Sequence, residues 1–398
     1  MRVLLAPGPM YPEPGGVPLV GPDLGLGAGA VAEALAAGWS AQRPDDILTQ
    51  LPVPDGGPGT AQAIPPGRIA SRSIVQADDP LGRIREVDLL RLRPVGPSSA
   101  DTAARGAAGD TWLLDAARLL ALPTDREYAA REARSGTTTG LGHALAAALR
   151  VTAPGDTLVV TLGATAVHDG GVGALEGLGG LDAAHALVSS RELVLALADT
   201  TPLGGVSGAG QALAAVAALS GEECQELNRR ACAAALQVAS SSGGVQEGGL
   251  PLVGQGPPEL SVTSRGTGAG GGAALVLRAL GARALPATRV MSRLLELEES
   301  VAGQDLVVTA AGEVFDVVAD SVAAVVGGMA GDSALPVVLV AGRLAAPRGE
   351  LAEAGVVSAY SLEEPGSSRN RAWNGGGALE LRGRLRAMGA RLARSWSR

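Results

Sequence analysis

The chain has 398 residues, carries 32 Lys plus Arg against 40 Asp plus Glu for a net charge of -8, and is 46% hydrophobic with only 2% aromatic. That length predicts two domains with a ligand cleft between them, and that composition predicts cores of interdigitated aliphatic side chains. The acidic balance gives no electrostatic support to a nucleic-acid or anionic-membrane partner. Lysine is absent, so every permanent positive charge is an arginine.

The first segment, RVLLA (2–6), reads as a buried parallel strand, and a Pro/Gly-rich stretch (11–27) separates it from a helix at GAVAEALAAGW (29–39). The opening MRVLLAPGPMYPEPGG has too short an apolar patch for a secretion signal. No apolar run reaches the roughly 18 residues of a membrane span, so a cytoplasmic protein is expected. The segment LPVPDGGPGTAQA then places Asp55, Gly56, Gly57 and Gly59 after a short extended run. From about 70 to 95 the pattern alternates, predicting a small antiparallel element. Residues 95–110 read as a surface loop.

GLGHALAAALR (140–150) has helical period, followed by strands at DTLVVTLG (156–163) and ELVLALAD (192–199). Cys224 and Cys232 fall eight residues apart in a helical run, about 12 Å by helical rise, too far for a disulfide. Both read as small core residues in a reducing compartment. Residues 240–262 read as a second surface loop. Helices are expected at 272–282 and 288–301, strands at 305–312 and 335–342, and a basic helix in the arginine-rich C-terminal segment. Alternating strands and helices predict an α/β protein with mainly parallel sheets.

Three glycine-rich turns follow strand-like segments, the arrangement that exposes backbone N–H groups to anions. They are the Asp55–Gly57 turn, the stretch TLGATAVHDGGVGAL with Gly163, Thr165, His168, Asp169, Gly170 and Gly171, and SRGTGAGGGAAL with Arg265, Gly268, Gly270 and Gly271. Each alone is equally compatible with a tight structural turn. None fits a P-loop, which needs a lysine, and none has the spacing of a dinucleotide fingerprint. His143 and His185 read as partly buried structural residues, and no spacing among the three histidines suggests zinc.

Together and in order these stretches resemble the bacterial glycerate kinase family. DGGPGT is similar to that family's DGGEGT, GATAVHDGG to GGSATNDGG, and GTGAGGG to GAGAAGG. DPLGRIREV (79–87) resembles PLGxPV, TTTG (137–140) resembles a YGTG turn, ADTTPLGGVSGA (198–209) resembles CDVxNPLxGxxGA, and DLVVTAAG resembles DLVITGEG. The resemblance implies a Rossmann-like α/β domain (1–66 plus 290–398) carrying a second, inserted α/β domain (67–289). It implies ATP-dependent phosphorylation of D-glycerate, with Mg²⁺, ATP and a small hydroxy acid as ligands and a homodimer open as an assembly.

Phosphoryl transfer needs a carboxylate for the metal, a group that orients the substrate hydroxyl, and donors for phosphate oxygens. Asp199 and Asp169, at predicted strand ends, are the candidates for the acidic roles, with Asp199 also the candidate for metal. An Asx-turn is an equal reading of Asp199, and a helix cap is an alternative for Asp169. Thr139, Gly140, Thr165 and Arg265 are candidate donors to a carboxylate or phosphate, and His168 stands where the family has asparagine.

The chain also departs from the family. Its PDSFKG segment is replaced here by Gly8, Pro9, Met10 and Tyr11, and Ala311 stands where its GEGRxDxQT segment has glutamate. Glu313 and Asp316 lie near that position but out of register, and the RNP before the YGTG turn is lost. These losses fall on polar positions while the apolar framework is kept. A second reading is therefore open, a relative that binds a small anion or protein partner without turnover.

Overall fold

The computed structural model describes residues 1–94, 109–241, 260–363 and 373–397. Most of each expected surface loop (95–110 and 240–262) lies outside those residues. Eleven strands occur among them: β1 (Arg2–Leu5), β2 (Ile47–Gln50), β3 (Ile69–Asp78), β4 (Ile84–Leu92), β5 (Thr111–Leu114), β6 (Thr157–Leu162), β7 (Glu192–Leu197), β8 (Arg283–Pro286), β9 (Leu306–Val314), β10 (Val337–Leu344) and β11 (Val356–Ser361). The chain divides into two compact units. One comprises Met1–Asp55, Gln62–Arg68 and Ala287–Arg398, the other Gly56–Ala61 and Ile69–Pro286. The DGGPGT turn is thus split, with Asp55 in the first unit and Gly56 to Ala61 in the second.

The first unit is a five-stranded sheet of order β11-β10-β9-β1-β2, parallel at every pairing. Its central strands are continuous aliphatic runs, as required when both faces are covered. Val3, Leu4, Leu5, Val307, Val308, Val338, Leu339 and Val340 are all fully buried. The helices Ala28–Ser40 and Gly377–Trp396 cover one face, and they approach closely because Gly38 lies against the backbone of Arg386 and Gly389 against that of Leu35. The C-terminal basic segment is the second of these helices. Trp39 is fully buried beneath it and donates its indole N–H to Asp46 at 2.8 Å. Strand order reverses between β1 and β9, so the C-terminal ends of those two strands form the switch point where open α/β sheets bind ligands.

The second unit is a six-stranded mixed sheet of order β3-β4-β5-β6-β7-β8. The expected antiparallel element is the β3–β4 hairpin, which also pairs antiparallel with β5, and β5 through β8 are parallel. Its core is aliphatic throughout, built on Leu114, Leu141, Leu145, Leu158, Val160, Leu162 and Leu195.

Two expected helices differ. The run 272–282 is helical only to Ala279, and residues 283–286 continue as the edge strand β8. The run 288–301 breaks into Ala287–Leu294 and Leu297–Val301 at Glu296, whose φ is 54°. Arg68 holds that break, donating to Glu296 at 2.8 Å and to the carbonyl of Leu294 at 2.9 Å. Both cysteines lie on the helix Gly221–Ser241 as free thiols. His143 and His185 are exposed rather than partly buried, because both project from the solvent faces of their helices. Among the described residues no helix is long and apolar enough to cross a membrane.

Candidate functional site

In the second unit, β6 and β7 end side by side and deliver the glycine turn 163–171 and Asp199 to one sheet edge. The third glycine turn packs directly on the first. Gly270 N–H donates to the carbonyl of Gly163 and Gly170 N–H to that of Gly271, each at 3.0 Å. A Cβ at Gly271 would lie 2.5 Å from the carbonyl oxygen of Val167, and its φ of 68° is itself in the left-handed region. These glycines therefore satisfy a turn-on-turn contact, and the backbone N–H groups of Gly170 and Gly270 are already used.

Asp169 differs from its expected role. Its carboxylate accepts from Thr138 N–H at 2.7 Å, from the Thr138 hydroxyl at 2.8 Å, from Gly171 N–H at 2.9 Å and from Gly173 N–H at 3.3 Å. With four donors inside the protein it is a brace between the 137–140 turn and the glycine turn, combining the cap reading with a long-range tie. It is not an open acid for chemistry. Gly140 is likewise structural, since its Cα faces the backbone of Asp78 with no room for a side chain. Thr139 is half-buried, and its hydroxyl accepts from that of Thr137 at 3.0 Å.

Asp199 is half-buried, and among the described residues its carboxylate accepts from Thr201 alone, whose N–H donates at 2.8 Å. This is the Asx-turn, and burial raises its pKa above the usual carboxylate value. One residue thus satisfies part of the carboxylate from below, a state that suits a cation or a substrate hydroxyl. Mg²⁺ sites commonly use one or two carboxylates with the rest of the shell from water and phosphate, so Asp199 fits that metal. Among the described residues no group of three or more His, Cys, Asp or Glu is arranged to hold a metal by itself.

His168 is buried and its Nε2 lies 3.0 Å from Asn228 Oδ1. Burial lowers its pKa, with the Asn228 bond and Asp169 acting in the opposite sense, which favours the neutral ring as donor. Thr165 is half-buried and accepts from Val167 N–H at 3.3 Å. Arg265 is exposed and its carbonyl accepts from Arg278, while Gly268 N–H donates to the carbonyl of Thr201 at 3.0 Å. Gly57 uses its carbonyl to accept the Thr60 hydroxyl at 2.8 Å, and Gly56 turns the chain with a φ of 85°.

The residue-by-residue reading missed Asp115. This fully buried carboxylate, at the end of β5, accepts from Ala61 N–H at 3.0 Å and from the Thr161 hydroxyl at 3.2 Å. Burial, against those two hydrogen bonds, pushes its pKa up to about 6. The signal in the sequence was a lone acid inside the apolar run TWLLDAARLLAL.

The first unit has its own cluster at the switch point. Residues 11–27 form a loop whose ends meet in an antiparallel bridge between the buried Met10 and Leu26, with N–H···O distances of 2.8 and 2.9 Å. The loop packs on the tip of β9, where a Cβ on Gly312 would lie 2.5 Å from the carbonyl oxygen of Tyr11. It brings Tyr11 and Glu13 to Asp55 and Glu313, and Glu313 in turn accepts from the Trp373 indole at 3.0 Å. Desolvation, then Asp55 and Glu313, push the Glu13 pKa up to about 8, and desolvation and Asp55 raise that of Tyr11.

The raised pKa of Glu13 has a defined sign. The folded state prefers the protonated acid, so this group's contribution is complete below about 4.5 and is lost as pH rises toward about 8. Glu13→Gln is expected to match wild type near pH 4.5 and to exceed its stability by about 1–2 kcal/mol at pH 9, after discounting for partial exposure. Urea unfolding of both proteins at the two pH values measures it.

A family model for the glycerate kinase family matches residues 25–194 and 181–396, nearly the whole chain. The chain belongs to the glycerate kinase family. Uncharacterized proteins from Mycobacterium bovis and Mycobacterium tuberculosis are each 29% identical to it over 394 residues, covering 95% of this chain and 92% of theirs. The crystal structure of putative glycerate kinase 2 from Salmonella typhimurium LT2 superposes with a TM-score of 0.63 at 22% identity, covering 99% of this chain and 98% of that one. That likeness establishes the mixed α/β fold with its two mainly parallel sheets.

Proposed function

We propose that this glycerate kinase family protein is a Mg²⁺-ATP-dependent phosphotransferase acting on D-glycerate or a closely related small hydroxy acid. The observation that carries this reading is Asp199, a strand-end carboxylate whose hydrogen bonds come from one neighbour, set beside a braced glycine-rich turn. Bound Mg²⁺-ATP would supply the phosphoryl group together with a cation that offsets charge on its oxygens. Asp199 would hold the metal or orient the substrate hydroxyl. Neutral His168 donates its Nε2–H to Asn228, which leaves Nδ1 as an acceptor for a hydroxyl of the substrate. Asp169 keeps the 137–140 turn and the glycine turn in register.

The test is D-glycerate-dependent ADP release by the purified protein with Mg²⁺-ATP, run beside Asp199→Asn. Turnover is expected in wild type and a drop of about 10²-fold or more in the variant, the scale of losing one charge-stabilising group. The folding stability of the variant should stay within about 1 kcal/mol of wild type. Well-folded wild-type protein that releases no ADP overturns the proposal.

One observation favours a second reading, a relative that binds without turnover. The family's acidic, hydroxyl and lysine cluster after β1 is replaced by Tyr11 and Glu13 beside Asp55 and Glu313, a set with no basic member. Binding of glycerate or nucleotide without product formation supports that reading.

A further inference from the structure

The helix Arg126–Ser135 carries two buried polar groups that nothing above uses. Glu132 is 3% exposed, and among the described residues its Oε2 is buried without a hydrogen-bond partner; the hydroxyl of Tyr128, one turn earlier on the same face, is also buried without one among them. An unpartnered buried carboxylate is costly, and the usual resolution is to keep its proton.

What packs against this face is the β3–β4 turn. Asp79 is buried there, with Oδ1 accepting from Leu81 N–H and Arg83 N–H at 3.1 and 2.9 Å and Oδ2 accepting from Arg85 Nε at 3.1 Å. The charged groups facing Glu132 are therefore Asp79, Arg83 and Arg85. On its own helix, Arg131 and the turn's Arg83 both stack on the Tyr128 ring, 4.7 and 5.2 Å from its centroid. On the helix Gly221–Ser241, Glu223 pairs with Arg134 at 2.9 Å.

The same turn is tied to the chain that follows the helix. Thr137 N–H donates to the carbonyl of Pro80 at 3.0 Å, Gly140 lies against Asp78, and Thr138 donates to Asp169. Helix, β3–β4 turn and 137–140 turn form one connected contact, with the buried Glu132 on the helix side of it.

We propose that Glu132 is a proton-dependent positioning residue: in its neutral form it lets the Asp79–Arg83 turn lie against the helix without repulsion from Asp79, and with it the 137–140 turn that donates to Asp169. Ionised Glu132 would place a second carboxylate beside Asp79, whose oxygens already take up the Arg85 Nε and two N–H groups. The contact then opens, and Thr137 loses its bond to Pro80. Desolvation first, then Asp79, push the Glu132 pKa up to about 8, with Arg85 and Arg83 opposing. The contact is therefore weakened progressively as pH rises from the ordinary glutamate range toward about 8. This inference does not depend on the substrate or on turnover.

Hydrogen exchange of the full-length protein, corrected for intrinsic rates, tests it over pH 6 to 9. Protection of the segment 136–140 is expected to fall about ten-fold per pH unit as pH rises from 6 toward the Glu132 midpoint and to level off above it in wild type, and to stay level throughout in Glu132→Gln. Equal pH dependence in the two proteins overturns the proposal, as does level protection in wild type. If Glu132→Gln does not fold, the carboxyl carbon shift of Glu132 in ¹³C-glutamate-labelled wild type decides. A midpoint near 8 supports the proposal and one near the ordinary glutamate value overturns it.

Discussion

Asp169→Ala is expected to destabilise the second unit by about 3–5 kcal/mol. The carboxylate takes four donors, from Thr138 N–H, the Thr138 hydroxyl, Gly171 N–H and Gly173 N–H, and removing it leaves several of them without an acceptor. Each unsatisfied buried donor costs about 1–3 kcal/mol, and partial access of water to this half-buried site moderates the sum. Asp169→Asn keeps one oxygen and is expected to lose about half as much. Urea unfolding read by Trp112, the tryptophan of the second unit, isolates the effect from the first unit, which holds Trp39, Trp373 and Trp396. Unfolding of Asp169→Ala indistinguishable from wild type would return this residue to the list of open catalytic acids. The contrast with Asp199→Asn is the useful one, since there activity should fall with stability nearly unchanged.

Gly140→Ala is the second large effect, with an expected loss of about 3 kcal/mol or more. A Cβ on Gly140 would lie 1.7 Å from the carbonyl oxygen of Asp78 and 2.7 Å from its carbonyl carbon. Both are backbone atoms, so no rotamer change relieves the clash, and the helix starting at Thr139 must move away from the end of β3. That movement also pulls on Thr138 and its bonds to Asp169, so the two substitutions share a contact and should not add. Thermal unfolding of the single and double variants measures this, and a double variant equal to the sum of the singles would show that the two sites are independent.

The family and the fold class were open to sequence reading because both rest on what the chain must repeat locally. Central parallel strands are covered on both faces, so β1, β6, β7, β9 and β10 appear as unbroken aliphatic runs. The β3–β4 hairpin departs from that pattern for the complementary reason, since much of β3 and the first three residues of β4 are exposed. The strands that escaped were β2, β8 and β11, each at a sheet edge with mixed exposure, and β5, four residues long. An edge strand has a partner on one side only, and its composition reflects solvent as much as pairing.

The site residues divide along a similar line. That Asp169 and Asp199 follow strands was legible, because the apolar runs of β6 and β7 stop at Leu162 and Leu197. Their different roles were not, since Asp169 is filled by Thr138, 31 residues earlier, while Asp199 meets only Thr201. The glycine turns were legible as turns, but their purpose depends on Gly163 and Gly170 meeting Gly270 and Gly271 across about a hundred residues of chain. Glu13, Asp115 and Glu132 looked like ordinary acids. Sequence alone determined the family, the α/β class and the strand ends. Only tertiary structure decided which carboxylates are satisfied, which are buried with a proton and which stay open, because burial and hydrogen bonding come from partners distant in the chain.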